Sequence, residues 1–449
     1  MTAEARKGAP TPKACTDRTV RLPALLSALA VALLLACAWG FPGTARAEPP
    51  GSPPALASQE GGELVFGMSA AFSGSARGLG AEYYRGVMAG FEQVNALGGA
   101  GGWKLRLSPL DDSYDPVPAV ANTIRFIEEE RVFALLGYVG TPTAARVLPL
   151  LMRYENTGMV MLFPLTGANI LRDSPHSRYV FSLRASYLEE TRNLVEALLA
   201  AGRRRIAVFH QADIYGRNGW DGVRRTLRRH NMVMVGEAAY RRGATFAQDF
   251  RTEVGIIASA KPDAIITVGT APACAAFIRD ARAAGLDAPI AALSFADADN
   301  LVKYLQAQSR ITGRDYVQGL VFSQVVPSYE DVSLPGVRQY RQAMERAPIV
   351  LPKGLRREEY LPQKYGFVSF EGYLASQVLA EAVRRMADAP SRQRLREVLE
   401  GMNGFDLGIG EKVGFSPRNS QGLRQTYLTV YRAGRFHGVA GLEGVLQWP

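Results

Sequence analysis

Short apolar runs alternate along this chain with segments whose apolar residues recur every three or four positions, the spacings of strand and helix respectively. Glu63–Ser69 is the first such run, and a loop containing Gly74, Gly78 and Gly80 follows it. Tyr83, Val87, Phe91 and Val94 then share one helix face, which Gly98–Gly99 ends. Three more units follow: strand Lys104–Leu110 with helix Pro116–Glu130, strand Val132–Leu136 with a helix after Pro142, and strand Met159–Phe163 running to Gly167. Four strand–helix units in series predict a parallel, doubly wound sheet.

The pattern restarts after Val180–Phe181. It predicts helix Glu189–Ala201, strand Arg205–Phe209, helix Gly216–His230, strand Val233–Ala238, helix Phe246–Ala260, strand Ala264–Val268 and helix Ala273–Ala284. Strands Pro289–Leu293 and Gly319–Val325 come next, then helices Val337–Arg346 and Gly366–Arg385, and short strands within Val413–Tyr431. Two similar α/β lobes place a ligand cleft where strand C-terminal ends and helix N-termini converge.

Composition narrows the class. The 449 residues are 47% hydrophobic and 21% charged, which excludes disorder and a polytopic membrane protein. Three cysteines and four histidines show no metal-ligand or redox spacing, so neither a metal site nor a cofactor is expected. No GxSxG, Walker A or complete GxGxxG occurs, and His210 has no triad partners in pattern, so no catalytic residues are assigned.

Residues 1–47 predict an export signal: a basic start, the apolar run Leu22–Trp39 and an Ala45-Arg46-Ala47 exit. Leu34-Leu35-Ala36-Cys37 offers a competing lipobox, with Cys37 as a lipidated first residue. Removing residues 1–47 takes six basic and two acidic side chains away, so the net charge of +10 becomes +6. That modest charge and an exported location argue against a nucleic-acid partner. Residues 48–61 read as a Pro/Gly/Ser linker.

Six segments in order carry a family resemblance: GMSAAFSGSARGLGAEYYRGVMAGFEQVNALGG, LDDSYDP, FALLGYVGTPTA, FPLTGA, AVFHQADIYGRNG and FIRDARAAGL. Together they resemble the periplasmic leucine/isoleucine/valine-binding proteins, the type I substrate-binding proteins of ABC transporters. The resemblance implies an α/β fold of two Rossmann-like lobes with parallel central sheets joined by a three-segment hinge. Lobe 1 is expected to be 62–187 and 325–428, and lobe 2 to be 188–324 and 429–449. The implied function is that of an extracytoplasmic receptor, periplasmic and monomeric. It would close on a small amino acid or carboxylate-containing ligand and deliver it to an ABC permease in the inner membrane. A ligand sensor of the same fold, signalling to a partner and feeding no transport, is the alternative.

The candidate site follows from residues and resemblance together. Gly140-Thr141-Pro142-Thr143 enters a helix with Thr141 expected as its N-cap and Pro142 as N1, so free N–H groups and the Thr141 hydroxyl converge on an anion. The resemblance puts a carboxylate-binding hydroxyl at Thr141, with Thr143 in the same turn. Pro149 is expected to kink this helix. Leu165-Thr166-Gly167 is a second clamp whose glycine lets backbone approach a ligand. Tyr215 matches a ligand-covering aromatic. Leu79 and Thr270 stand where the family has cleft aromatics, and Ser294 stands where it has the acid that pairs the ligand ammonium. Asp297 or Asp299 is left to supply that acid; failing both, the expected ligand lacks an amino group and is a carboxylate, an aromatic acid, an amide or a related solute. Asp111-Asp112 is read as structural, and the arginines near 203–205 and 224–229 as solvated charge.

Overall fold

The computed structural model describes residues 62–446 apart from 353, 356–358 and 387–388. The expected export signal, Cys37 and the linker lie outside the described residues. No helix among those described is long and apolar enough to cross a membrane.

The first lobe is laid down by β1 (Glu63–Ala70), α1 (Arg77–Ala96), β2 (Lys104–Asp111), α2 (Pro116–Glu128), β3 (Ala134–Leu136), α3 (Thr141–Arg153), β4 (Met161–Leu162) and β5 (Val180–Phe181). Its five strands pair in the order β2-β1-β3-β4-β5, all parallel. All but the first residue of β1 is buried, as expected of an apolar strand covered on both faces. Asp115 caps α2 through the Val117 N–H, and Pro116 follows it at the first helical position.

The second lobe takes α4 (Tyr187–Ala200), β6 (Ile206–Gln211), α5 (Ile214–Arg229), β7 (Gly236–Tyr240), α6 (Arg251–Ser259), β8 (Ala264–Val268), α7 (Ala271–Ala283), β9 (Ile290–Ala292), α8 (Ala298–Thr312) and β10 (Leu320–Gln324). The chain then returns to the first lobe with α9 (Pro335–Arg346), α10 (Phe367–Met386), α11 (Arg392–Glu400) and the small hairpin β11 (Asn403–Asp406) and β12 (Lys412–Gly414). It crosses once more to end in β13 (Tyr427–Arg432) and β14 (Arg435–Val439). The second sheet has the order β14-β13-β10-β9-β8-β6-β7, parallel from β10 to β7, with β13 antiparallel to both β10 and β14.

Three segments therefore pass between lobes, and the first and third run side by side. Ser182 N–H donates to the Ser420 carbonyl at 2.8 Å, Gly422 N–H to Ser182 at 2.8 Å and Leu423 N–H to Leu183 at 2.8 Å. In the first lobe α10 lies against α1 at glycine contacts: a Cβ on Gly86 would strike the Ser369 carbonyl, and one on Gly372 the Tyr83 carbonyl.

Several expected elements differ. The segment from Phe246 is not helical until Arg251, because its backbone is held by side chains of α7. Arg279 donates to the Gln248 carbonyl at 2.7 Å, and Asp280 accepts from the Phe250 N–H at 2.8 Å. β7 begins at Gly236 and not Val233, since its register with β6 pairs Ala207 with Gly236. α8 and α11 stand outside the helices that the apolar periodicity predicts. Pro149 lies inside α3, as expected, and the helix continues past it to Arg153.

Candidate functional site

The C-terminal ends of β3 and β4 bring two loops of the first lobe together. α3 begins at Thr141 with Gly140 in the cap position, so the expected Thr141 cap is corrected: its side chain makes no capping bond. Its hydroxyl lies instead 2.7 Å from that of Thr166, and both residues are fully buried. Thr143 is turned back into the helix, donating to the Val139 and Gly140 carbonyls at 2.6 and 2.9 Å. The loop after β4 is fixed by Leu165 N–H donating to Tyr138 at 2.8 Å and by Tyr83 Oη donating to the Phe163 carbonyl at 2.7 Å. Thr166 Oγ1 also accepts from the Ala168 N–H at 3.2 Å.

Gly167 is required by its neighbour. Its carbonyl accepts from the Tyr187 N–H at 2.8 Å, and a Cβ there would lie 2.7 Å from that nitrogen and from the Tyr187 ring. Tyr187 opens α4 directly after its cap Ser186, which forms a capping box with Glu189. Its hydroxyl is buried without a hydrogen-bond partner. Burial raises its pKa, while Arg184 and the Thr166 and Thr141 hydroxyls beside it act in the opposite sense.

Aromatic rings close the cleft from the other lobe. Tyr187 lies 5.1 Å from Tyr215, Tyr215 4.8 Å from Phe295, and Phe295 6.0 Å from Tyr114 of the first lobe, centroid to centroid. Asp213 caps α5 through the Tyr215 and Gly216 N–H groups, which fixes where the Tyr215 ring enters. Gln211 Nε2 donates to Tyr114 Oη at 3.2 Å across the lobes. Thr270 lies beyond these rings, its N–H donating to Tyr240 Oη at 3.1 Å. Leu79 faces a cavity of about 480 Å³ between the lobes, also lined by Ala271, Asp297, Asn300 and Tyr360. The hydroxyl pair and the ring wall are not among that cavity's lining residues.

Sequence reasoning missed a buried charge cluster at the cleft floor. Arg184, in the first crossover, bonds the Ser294 hydroxyl and lies 3.4 Å from Glu190 and 3.6 Å from Glu371. Glu190 also accepts from Ser294 N–H and Oγ, both at 2.9 Å. Burial opposes the Arg184 charge, but the Glu371 and Glu190 carboxylates outweigh it and hold the guanidinium protonated. Burial pushes the Glu371 carboxyl up to about 7, with Arg184 resisting. Asp297 and Asp299, the acids expected to stand in for Ser294, are engaged elsewhere. Asp297 caps α8 and binds the Asn300 amide at 2.6 Å; Asp299 accepts from Tyr329 Oη at 2.6 Å and from the Phe367 N–H at 3.1 Å. Asp111 and Asp112 tie the turn after β2, with Asp112 accepting from Ser69 Oγ and the Tyr114 N–H. One signal for the missed cluster was present: Arg184 and Glu371 are lone charges of opposite sign inside apolar runs.

Two parallel-sheet lobes, three crossovers and a polar, ring-walled cleft define a two-lobed binding protein of the type I periplasmic fold. The family model for periplasmic binding proteins matches residues 63–435, and the chain belongs to that family. A solved structure described as a possible leucine/isoleucine/valine-binding protein from Rhodopirellula baltica SH 1 is 32% identical with a TM-score of 0.74, covering 85% of this chain and 97% of that one. An amino acid binding protein of Pseudomonas aeruginosa PAO1 is 24% identical over 264 residues, 58% of this chain and 67% of the relative. The Leu/Ile/Val-binding protein of Escherichia coli K12 is 27% identical over 228 residues, half of this chain. That match spans 59% of the E. coli protein's length, less than two thirds.

Proposed function

We propose that this chain is the extracytoplasmic solute-binding receptor of an ABC-type importer, closing its lobes on a small amino acid or other carboxylate and presenting it to a membrane permease. The observation behind this reading is the buried Thr141–Thr166 hydroxyl pair at the start of α3, with the unpartnered Tyr187 hydroxyl beside it. The unpaired N–H groups of a helix's first turn and its positive dipole end favour a carboxylate. Tyr215 and Phe295 cover the same place from the second lobe and offer an apolar wall to the rest of the ligand. The relatives named above as amino-acid-binding proteins point to the same class of cargo.

Closure needs a ligand that contacts both lobes, since only differential affinity shifts the hinge. A micromolar dissociation constant corresponds to about 8 kcal/mol, enough to move a hinge equilibrium of a few kcal/mol. The test is a thermal-shift screen of the chain from residue 48 onward against amino acids, aliphatic and aromatic carboxylates and amides, with calorimetry on each hit. A carboxylate-bearing hit is expected, and Thr141→Ala is expected to weaken it at least about ten-fold, the loss of one charge-assisted hydrogen bond. A hit whose affinity ignores Thr141→Ala removes this site from the proposal. For a hit that passes, uptake of the labelled compound should fall in cells lacking the chain.

A further inference from the structure

One stretch of chain touches both lobes without being a crossover. It is the strap that leads from Tyr360 into α10, and it lies against α1 of the first lobe and α8 of the second. On the first-lobe side Glu82, 1% exposed, accepts from Tyr360 Oη and from the Gln363 N–H, both at 2.9 Å. Arg85 donates to the Gln363 carbonyl at 2.7 Å. Tyr360 also packs with Ala81 and Leu355 in a small apolar cluster separate from the main core.

On the second-lobe side Asn300 donates to Tyr360 Oη at 3.1 Å and accepts from Gln363 Nε2 at 3.2 Å. Lys303 reaches the Leu361 carbonyl at 3.4 Å. α1 and α8 also meet directly, since a Cβ on Gly78 would lie 2.5 Å from Asn300 Nδ2 and 2.9 Å from Asp297 Oδ2. The two sides differ in strength. A buried carboxylate and a guanidinium hold the strap to α1, whereas neutral amide groups and one long lysine contact hold it to α8, and charge-assisted bonds are the stronger. The strap is therefore a fixed part of the first lobe, and α8 is the side that parts from it.

A hinge equilibrium shifts with any contact made in one state and lost in the other, whether ligand or protein supplies it. Asn300 meets Tyr360 and Gln363 only when the lobes are together. We propose that Tyr360 and Gln363 form an internal latch that, through Asn300, holds part of the ligand-free population closed, while ligand draws in the rest. The latch goes beyond the receptor reading: it rests on the two-lobed hinge and not on the identity of the cargo. Tyr360 and Leu361 also line the cavity of about 480 Å³ between the lobes, so release of the latch opens that side of the cleft.

Spin labels on Leu97→Cys, at the end of α1, and Ile311→Cys, in the last turn of α8, read the distance between lobes by double electron–electron resonance. Both sites are exposed, and Cys274 is buried. The chain from residue 48 onward is measured after unfolding and refolding to strip any bound solute, and its distances should include a short, closed component. Asn300→Ala leaves the Glu82 bonds intact and should lower the closed-to-open ratio at least about five-fold, the effect of one lost buried hydrogen bond. Tyr360→Phe should lower it too, and the two together should fall short of the sum of their effects, because both cut one link. A label pair within the first lobe, Leu97→Cys with Val117→Cys, should keep its distance throughout. Where Asn300→Ala disturbs that pair it has damaged the fold, and Tyr360→Phe, which keeps the ring, decides. A closed component missing from the unsubstituted chain, or undiminished in the variants, overturns the latch. None of these readings needs a ligand, so the latch and the carboxylate site fail separately.

Discussion

Gly167 and Tyr187 show how little freedom the cleft leaves a single side chain. With the glycine's missing Cβ only 2.7 Å from the tyrosine nitrogen and ring, Gly167→Ala must displace α4 at its first turn. Overpacking of this kind costs about 1–3 kcal/mol, so the urea midpoint should drop, and ligand affinity should fall with it because Tyr187 Oη moves away from the threonines. At this scale the sequence was informative about which loops matter and less so about what each atom does. Thr141 and Thr166 were readable from turn chemistry and resemblance. That Thr141 leaves the cap to Gly140, and that Thr143 spends its hydroxyl on backbone carbonyls, depends on the helix start shifting by one residue. Arg184 and Glu190 share one stretch of chain, but Ser294 and Glu371 come from distant ones, and no local spacing connects them.

Elements were legible where periodicity acts alone and were misread where side chains from elsewhere hold the backbone. α2, β1 and β8 match their apolar patterns closely, since a fully buried parallel strand or an amphipathic helix writes itself into consecutive residues. The stretch from Phe246 has the periodicity of a helix, yet Arg279 and Asp280 take its carbonyls and amide. Asp280→Asn keeps the shape but weakens the acceptor for the Phe250 N–H. Amide exchange at Phe250 should accelerate several-fold, consistent with losing about 1 kcal/mol, while exchange in β8 stays unchanged. α8 carries its own signal in Leu301, Val302 and Leu305 with Asp297 as the cap, and the acids expected to serve a ligand, Asp297 and Asp299, serve that helix start and its neighbours instead.

For the whole molecule, buried acids set the response to pH. Burial pushes Asp112, Asp299 and Glu371 each up to about 7, above the values they would have in an unfolded chain. Each therefore binds its proton more readily when folded, so its stabilising contribution is complete below about pH 4 and is lost as pH rises towards 7. The thermal midpoint should fall between pH 5 and 8, and Glu371→Gln should flatten that slope, as scanning calorimetry can measure. The two-lobe plan with three crossovers was readable because the strand–helix alternation restarts after Phe181 and six motifs keep their order. Of the terminal hairpin, β13 falls almost wholly within the short strands expected over 413–431, while β14 lies beyond them, and their place beside β10 is not written in local sequence. The same threading dictates the order of assembly. All five strands of the first sheet have been made once Phe181 is in place, yet α10, whose Ser369 and Gly372 meet Gly86 and Tyr83 of α1, is synthesised only after β6 to β10, five of the second sheet's seven strands. A nascent chain thus holds an uncovered apolar helix face until it is nearly complete, which delays the final burial of α1.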